Sequence, residues 1–139
     1  ITNSYLRKFG VDISVLINGF TILRSGEVRE KIDVFVSSDG ITAESFMAKS
    51  GGERGRVMLA GVLGIQHLIN LSTNGKGLNL LVLDEALSGI DAGGTLEIIN
   101  TLNNLGTTVM MITQNIEDSS IFENCIRVVK EDGVSTLQS

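Results

Sequence analysis

The hydrophobic residues at the start of the chain have the spacing of a helix. Tyr5, Leu6 and Phe9 share one helical face, and Gly10 follows them as a common helix stop. Residues 2–9 are too few to form a stable helix alone, so we interpret them as the last turns of a longer helix that enters from outside the chain.

From residue 11 onwards the apolar positions alternate with polar ones, which is the period of a β-strand. Two such stretches, residues 11–24 and 28–37, flank a polar turn and predict an antiparallel hairpin. Gly19 is the expected position of a β-bulge. Asp39 and Gly40 form a turn signal that ends the second strand.

The pattern then changes to that of a long helix over residues 53–71. Its apolar residues cover so much of the circumference that most of the helix is expected to be buried. These residues are Val57, Leu59, Val62, Leu63, Ile65, Leu68 and Ile69. Gly61 and Gly64 lower the helix propensity, and we expect them to let another backbone approach closely.

The second half of the chain alternates strands and helices, which predicts an α/β fold with a parallel sheet flanked by helices. Residues 78–83 are apolar except for Asn79, and this run predicts a strand buried on both faces. The elements predicted after it are a helix at 92–105, a buried strand at 107–113, a short helix near 118–123 and a closing hairpin of 125–130 with 134–138.

The composition fits a folded domain and narrows the functional classes. Of the 139 residues 42% are hydrophobic, but no apolar run reaches the ~20 residues that cross a bilayer. The net charge of −5 argues against a surface that binds nucleic acid over its whole area. The single Cys125 excludes an internal disulfide and suits a reducing compartment.

Two acids, Asp84 and Glu85, end the apolar run of residues 80–83. Side chains at the carboxyl ends of parallel strands lie where open α/β sheets bind ligands. Nucleoside triphosphatases use an Asp at this place to hold Mg²⁺, and a second acid directly after it can orient or deprotonate a water. The alternative is a pair of solvated acids that cap a strand.

Ser50, Gly51, Gly52 and Glu53 lie at the start of the long helix. Ser50 is a good N-cap, and the glycines after it expose backbone N–H groups to an anion at the positive end of the helix dipole. The alternative is an ordinary capped helix start without a ligand.

Four short motifs occur in the order that is typical of ABC-type ATPase heads. The segments that resemble the signature loop, Walker B, the D-loop and the switch loop are residues 50–53, 80–85, 88–91 and 110–115, respectively. Glu53 stands where transporters have Gln, as in the coiled-coil subclass. Within the family the chain is most similar to the SMC and SbcC type of DNA-repair ATPases, whose head is split by a long coiled coil.

The resemblance implies one domain, residues 1–139, which is the C-terminal lobe of such a head. Residues 1–10 correspond to the end of the coiled coil, residues 11–40 to a hairpin region and residues 41–139 to the lobe that carries the motifs.

The resemblance also implies ATP and Mg²⁺ as ligands and a role for each residue of the strand-end motifs. Asp84 supports Mg²⁺, and Glu85 activates water within its own head. Gln114 stands where the family usually has His. Its amide can still donate a hydrogen bond but cannot take up charge, so hydrolysis is expected to be slower or Gln114 to position the water.

The remaining motif residues are implied to face a second head. Ser50 and the backbone of Gly51 and Gly52 cap the γ-phosphate of ATP held by that opposite head, and Glu53 belongs to the same loop. Asp91 lies in the loop that lines the dimer interface.

The loop that wraps the β- and γ-phosphates is missing, because no Gly-x-x-x-x-Gly-Lys-Ser/Thr sequence occurs. Gly75 and Lys76 do not form one, since Asn70 and Gly77 occupy the positions that need Gly and Ser or Thr. The chain alone is expected to bind ATP weakly or not at all. Its N-terminal Walker A lobe is expected to come from another segment or chain.

The implied partners are this N-terminal lobe, a second head and DNA, with a nuclease subunit as a further candidate and no membrane. The implied location is the cytoplasm, associated with the nucleoid or encoded by a phage. Three alternatives stay open: a chromosome-organising clamp gated by ATP, the nucleotide-binding domain of a transporter, and a binding module with degenerate motifs. Glu53 disfavours the transporter.

Five other residues have the side-chain chemistry of functional sites. His67 is interpreted as a packing or surface residue and Cys125 as a small buried hydrophobe. Lys49, Arg54 and Arg56 flank the signature turn, where contact with nucleotide, the partner head or DNA competes with simple solvation.

Overall fold

The structure is a computed structural model that describes residues 1–38, 40, 44–114 and 121–138. In chain order its elements are α1 (Thr2–Lys8), β1 (Ser14–Ile22), β2 (Val28–Ser37), β3 (Glu44–Ser45), a 3₁₀ helix (Phe46–Ala48), α2 (Gly51–Ser72), β4 (Leu80–Asp84), α3 (Ala92–Asn103), β5 (Thr108–Ile112), β6 (Arg127–Glu131) and β7 (Val134–Gln138). The predicted α/β class is confirmed.

The predicted amino-terminal helix is present as α1, and it packs against α2 and α3. Leu6 and Phe9 project from it into the centre of the core and are almost completely buried. Burial of such side chains stabilises the fold by about 1.5–3 kcal/mol each. The helix ends before Gly10, which has a φ of +69°, a left-handed conformation that glycine adopts without strain.

The predicted hairpin is formed by β1 and β2, which pair antiparallel along their length. The register shifts between Asn18 and Phe20, which confirms the irregularity expected at Gly19. Strand β3 adds a short third strand beside β2, which the sequence pattern did not predict. Of the predicted turn after β2, Asp39 lies outside the described residues, and Gly40 has a φ of +73°.

The long helix α2 has one buried face and one open face. The prediction that most of it is buried is therefore wrong for the open face. There Met58, Val62, Ile65 and Leu68 are between 44% and 64% exposed. Apolar periodicity shows which positions favour burial, but the surface that would cover this face is not provided by the part of the chain that the structure describes.

Gly61 and Gly64, in the middle of α2, differ in what lies next to them. A methyl group on Gly64 would lie 2.6 Å from Thr2 Oγ1 and 3.6 Å from Thr2 Cα, so α1 does approach α2 closely there, as predicted. The same prediction is wrong for Gly61, because no described atom outside the local backbone lies within 4 Å of that position.

Strands β4 and β5 form a parallel pair in which Leu80 lies opposite Thr108 and Asp84 lies opposite Ile112. Only one face of this pair is covered by the core. On the other face Leu80, Val82, Met110 and Ile112 are 45–54% exposed. The expected burial of these strands on both faces is therefore wrong for the described residues taken alone.

The last elements agree with the sequence pattern except at Cys125. Helix α3 begins where predicted, and β6 and β7 form the closing hairpin around Asp132 and Gly133, both with φ above zero. Residues 118–120 of the short helix expected near 118–123 lie outside the described residues. Cys125 is exposed rather than buried, since it precedes the first strand of this peripheral hairpin.

Candidate functional site

The amino terminus of α2 is fixed by a reciprocal pair of hydrogen bonds between Ser50 and Glu53. The Ser50 hydroxyl accepts from the Glu53 N–H (3.3 Å), and a Glu53 carboxylate oxygen accepts from the Ser50 N–H (2.9 Å). This capping box confirms Ser50 as the N-cap. These hydrogen bonds from Ser50, first from the side chain and then from the backbone, hold the pKa of Glu53 below its ordinary value.

The glycines after Ser50 have different surroundings. A Cβ on Gly52 would lie 2.6 Å from the backbone carbonyl oxygen of Gly89, so this position packs directly against the loop that follows β4. A Cβ on Gly51 would meet no described atom within 4 Å. Gly52 therefore permits contact between the two loops, whereas Gly51 leaves its backbone N–H at an open helix terminus.

Glu85 has an unusual backbone and a partly enclosed side chain. Its φ of +50° lies in the left-handed region, which is uncommon for a residue with a side chain. Its N–H donates to the Ile112 carbonyl oxygen (2.9 Å), which ties it to the end of β5. Within the described residues its buried Oε1 atom has no hydrogen-bond partner.

A cavity of about 210 Å³ lies at this edge of the sheet. It is lined by Glu85, Leu87, Ser88, Gly89, Ile90, Thr95 and Thr113. The cavity thus brings the second acid of the strand-end pair together with the loop 88–91 and with the residue that follows β5. An unpaired carboxylate oxygen in such a place accepts a hydrogen bond from whatever polar group enters.

Asp84 and Gln114 lie at the same edge but outside the lining of this cavity. Both are exposed, Asp84 as the last residue of β4 and Gln114 shortly after β5. Because the two strands are parallel and paired in register, their carboxyl ends lie at the same edge of the sheet. Asn115 lies outside the described residues.

Asp91 caps α3 and also pairs with a residue of α2. Its Oδ1 atom accepts from the Gly94 N–H (2.8 Å) and from Arg56 Nη2 (2.6 Å). The Arg56 side chain is 14% exposed and the Asp91 side chain 74% exposed. One carboxylate therefore joins the first turn of α3 to the second turn of α2, while most of its surface faces outward.

The basic residues around the signature turn all make contacts inside the chain. Lys49 is buried, pairs with Glu44 (2.7 Å) and donates to the Ser38 hydroxyl. Arg54 donates to the carbonyl oxygen of Lys49 (3.0 Å). These contacts argue against simple solvation of the three cations that the sequence left open. The contacts of Lys49 with Glu44 and of Arg54 with Lys49 span five residues each, whereas Arg56 pairs with Asp91 35 positions away, and of these only that pair depends on the tertiary fold.

A second cavity, of about 400 Å³, lies near the amino ends of β4 and β5 and contains none of the predicted site residues. His67 and Asn70 of α2 line it together with Tyr5 of α1. His67 is exposed, and within the described ranges no group of three His, Cys, Asp or Glu side chains that could hold a metal ion occurs. Nor is any helix of those ranges long and apolar enough to cross a bilayer.

Comparison with curated proteins finds ATP-binding proteins of the ABC class. The chain is 34% identical over 92 residues to a putative ABC transporter ATP-binding protein of Methanosarcina mazei, which is 64% of this chain and 28% of that protein. It is 32% identical over 116 residues to the energy-coupling factor transporter ATP-binding protein EcfA2 of Bacillus thuringiensis, which is 81% of this chain and 36% of that protein. The chain thus spans about a third of the length of these relatives. No family model matches it.

Comparison with solved structures finds SMC heads. The Smc head domain with a coiled coil and joint from Pyrococcus yayanosii has a TM-score of 0.74 at 18% identity, over 99% of this chain and 25% of that one. An SMC ATPase studied for its ATP-driven dimerization has a TM-score of 0.63 at 19% identity, over 99% of this chain and 88% of that one.

Together the two comparisons confirm the resemblance drawn from the motifs. The chain has the fold of an ABC-type ATPase head lobe. The solved heads that it resembles are those of SMC proteins, whereas these curated sequence relatives are ATP-binding proteins of transporters.

Proposed function

We propose that the chain is the C-terminal lobe of an SMC- or SbcC-like head that hydrolyses ATP where two heads meet and drives DNA double-strand-break repair or recombination. The observation that carries this proposal is the packing of the capped turn at residues 50–53 against the loop 88–91, beside the cavity that contains Glu85. The family resemblance assigns these three segments to the two sides of a nucleotide held between heads.

Glu85 is the residue that we assign to the activation of water. Its buried Oε1 atom, unpaired among the described residues, accepts a hydrogen bond and then a proton from a water in the adjoining cavity. Gln114, near the end of the neighbouring strand, has an amide that can donate to a phosphate or to that water. Because an amide takes up no proton, Glu85 is the base in this assignment.

Asp84 fits a magnesium site of the kind that needs only one or two carboxylates from the protein. It is exposed at the end of β4, directly before Glu85. The described residues contain no group of three possible metal ligands, so Asp84 would hold the ion together with ligands from outside those residues. Bound Mg²⁺ neutralises negative charge on the phosphates.

The start of α2 is assigned to an anion presented by the opposite head. Ser50, Gly51 and Gly52 offer a hydroxyl and backbone N–H groups at the positive end of a helix of 22 residues. Glu53 keeps this turn in shape through the capping box, and Asp91 lies in the loop that faces the second head.

The open apolar faces support a composite head. A patch formed by Leu80, Val82, Met110 and Ile112 on one sheet face is unusual for a surface that stays in water. We assign it to contact with the N-terminal Walker A lobe, which also supplies the phosphate loop that this chain lacks. In this account the chain alone binds ATP weakly and turns over none.

A second candidate is the nucleotide-binding subunit of a transporter. It is favoured by the curated relatives, which are transporter ATP-binding proteins at 32–34% identity. Glu53 and the SMC-like fold over 99% of the chain favour the first candidate. The two differ in partner, because only the first predicts that DNA changes ATP turnover.

The test is the substitution Glu85→Gln in the complete head, with Glu97→Gln on the exposed surface of α3 as the matched control. We expect Glu85→Gln to abolish turnover and to stabilise the ATP-bound dimer, since the amide cannot accept the proton but still fits the site. Wild-type turnover by this variant would refute the catalytic assignment. Each protein is measured with and without duplex DNA, and turnover that ignores DNA would favour the transporter.

A further inference from the structure

An ion pair joins the part of α2 that follows the signature turn to the D-loop. Arg56 lies in the second turn of α2, and its Nη2 atom is 2.6 Å from Asp91 Oδ1. The same oxygen accepts from the Gly94 N–H at 2.8 Å. Asp91 therefore holds the start of α3 and the start of α2 simultaneously.

The absence of a side chain at Gly94 leaves space for the Arg56 guanidinium. A Cβ on Gly94 would collide with the Arg56 guanidinium and would lie 2.7 Å from Asp91 Oδ1, so only glycine leaves room for the pair. The adjacent Gly93 has no such neighbour within 4 Å. Arg56 is mostly enclosed, and within the described residues its buried Nε atom has no acceptor.

Close packing also holds the same two segments together, at residues that precede Arg56 on α2 and Asp91 in the loop. Gly52 lies against the carbonyl oxygen of Gly89, and Gly55 lies against the side chain of Ile90. Small residues on α2 and a charged pair thus fix the loop 88–91 to the helix start. A displacement of one segment has to carry the other with it, because the contact is backbone against backbone at Gly52.

We propose that Arg56 is a positioning residue that presents Ser50 and Asp91 to the opposite head as one rigid unit. The proposal rests on the proposed function, in which both residues act across the head–head interface. An Asp91 side chain that is 74% exposed keeps most of its surface available for that interface while Arg56 fixes its direction. Without Arg56 the two loops keep their sequences but lose their common orientation.

The test uses the complete head and three variants. Arg56→Gln removes the charge, and Gly94→Ala keeps the charge but displaces the guanidinium. Gly93→Ala is the matched control, since it adds the same methyl group one residue earlier without a contact. We expect the first two variants to lower turnover about ten- to a hundredfold through misplacement of the interface groups.

Measurements of ATP affinity and of dimerisation distinguish a positioning role of Arg56 from a general loss of folded structure. ATP affinity of the separate heads is expected to stay within about twofold of the wild type for Arg56→Gln, whereas ATP-dependent dimerisation weakens. Combining Arg56→Gln with Asp91→Asn is expected to cost no more than the worse single variant, because both remove one interaction. Three results would overturn the proposal. They are a double variant whose loss of turnover is the product of the two single losses, wild-type turnover for Arg56→Gln, and a loss of turnover in Gly93→Ala equal to that in Gly94→Ala.

Hydrogen exchange of residues 88–94 decides the proposal independently of ATPase activity. We expect faster exchange in Arg56→Gln and in Gly94→Ala but not in Gly93→Ala, since the loop is freed from α2. If the wild-type head hydrolyses no ATP while this exchange pattern holds, the proposed function fails and the coupling stands. Unchanged exchange in Arg56→Gln would overturn the coupling itself.

Discussion

Glycines of this lobe that are close in sequence have different structural roles, because their surroundings in the fold differ. Gly52, Gly64 and Gly94 each lie against another segment, whereas Gly51, Gly61 and Gly93 have open space where a side chain would be. The members of each pair are one to three residues apart, so their sequence neighbourhoods are nearly the same. Only the fold separates the glycines that enable a close contact from those with open space beside them.

Gly61 and Gly64 therefore respond differently to alanine. Gly61→Ala in the complete head is expected to raise the free energy of unfolding by about 1 kcal/mol, since alanine has the higher helix propensity. Gly64→Ala is expected to lower it by roughly 1–3 kcal/mol, because the methyl group overlaps Thr2. Denaturant unfolding of both variants measures the difference, and equal shifts would contradict the close approach of α1 to α2.

Chemistry at the residue scale was predictable where it follows from position on a strand or a helix. Asp84 and Glu85 end a predicted strand, and Ser50 precedes a predicted helix, so their locations follow from the pattern. The pairing of Arg56 with Asp91 could not be predicted from the pattern, because the two residues are 35 positions apart and no periodicity relates them. The left-handed backbone of Glu85 was also not predictable, since it depends on its hydrogen bond to the end of β5.

Among the secondary-structure elements, α2 connects most of the residues of the candidate site. Its first turn is held by the capping box of Ser50 and Glu53, and its next turns pack against the loop 88–91. Its bounds were predicted to within two residues, because N-cap chemistry is local. The exposure of its apolar face was not predicted, because burial depends on a second surface, and the sequence pattern of the helix does not say whether that surface is present.

The capping box predicts a pH dependence of stability. The hydrogen bonds from Ser50 lower the pKa of Glu53 in the folded state, so ionised Glu53 stabilises the fold above its unfolded pKa. This contribution is lost as the pH falls through the lowered folded-state pKa. The stability difference between wild type and Glu53→Gln is therefore expected to shrink as the pH drops below the ordinary value of 4.5. Unfolding curves at several pH values test this, and a difference that grows on acidification would contradict it.

The open face of β4 and β5 predicts a lobe–lobe contact. Val82→Glu places a charge in the middle of that face, so it is expected to prevent co-purification of this lobe with the Walker A lobe. Leu96→Glu on α3 is the control, because Leu96 is similarly exposed (49% against 53%) and lies on a different element. Both lobes are expressed together without ATP. Recovery of the complex with Val82→Glu would show that this face is not the contact.

At the scale of the whole molecule, the chain is one part of a larger machine in our account. It spans about a third of its curated relatives, and it lacks a phosphate loop. In the proposed function the lobe provides groups for two nucleotides, with Glu85 assigned to the nucleotide of its own head and Ser50 to that of the opposite head. A head–head dimer is the arrangement in which both sets of groups act.

Mixing two inactive heads tests this central claim most directly. Heads with Glu85→Gln lack the base within their own site, and heads with Ser50→Arg lack the cap that they offer to the other head. In a mixed dimer one site contains both defects and the other site contains neither. ATP turnover of an equimolar mixture, compared with each variant alone, is the measurement. We predict that turnover appears only in the mixture; a mixture as inactive as both parents would contradict a composite site in which Glu85 and Ser50 come from different heads.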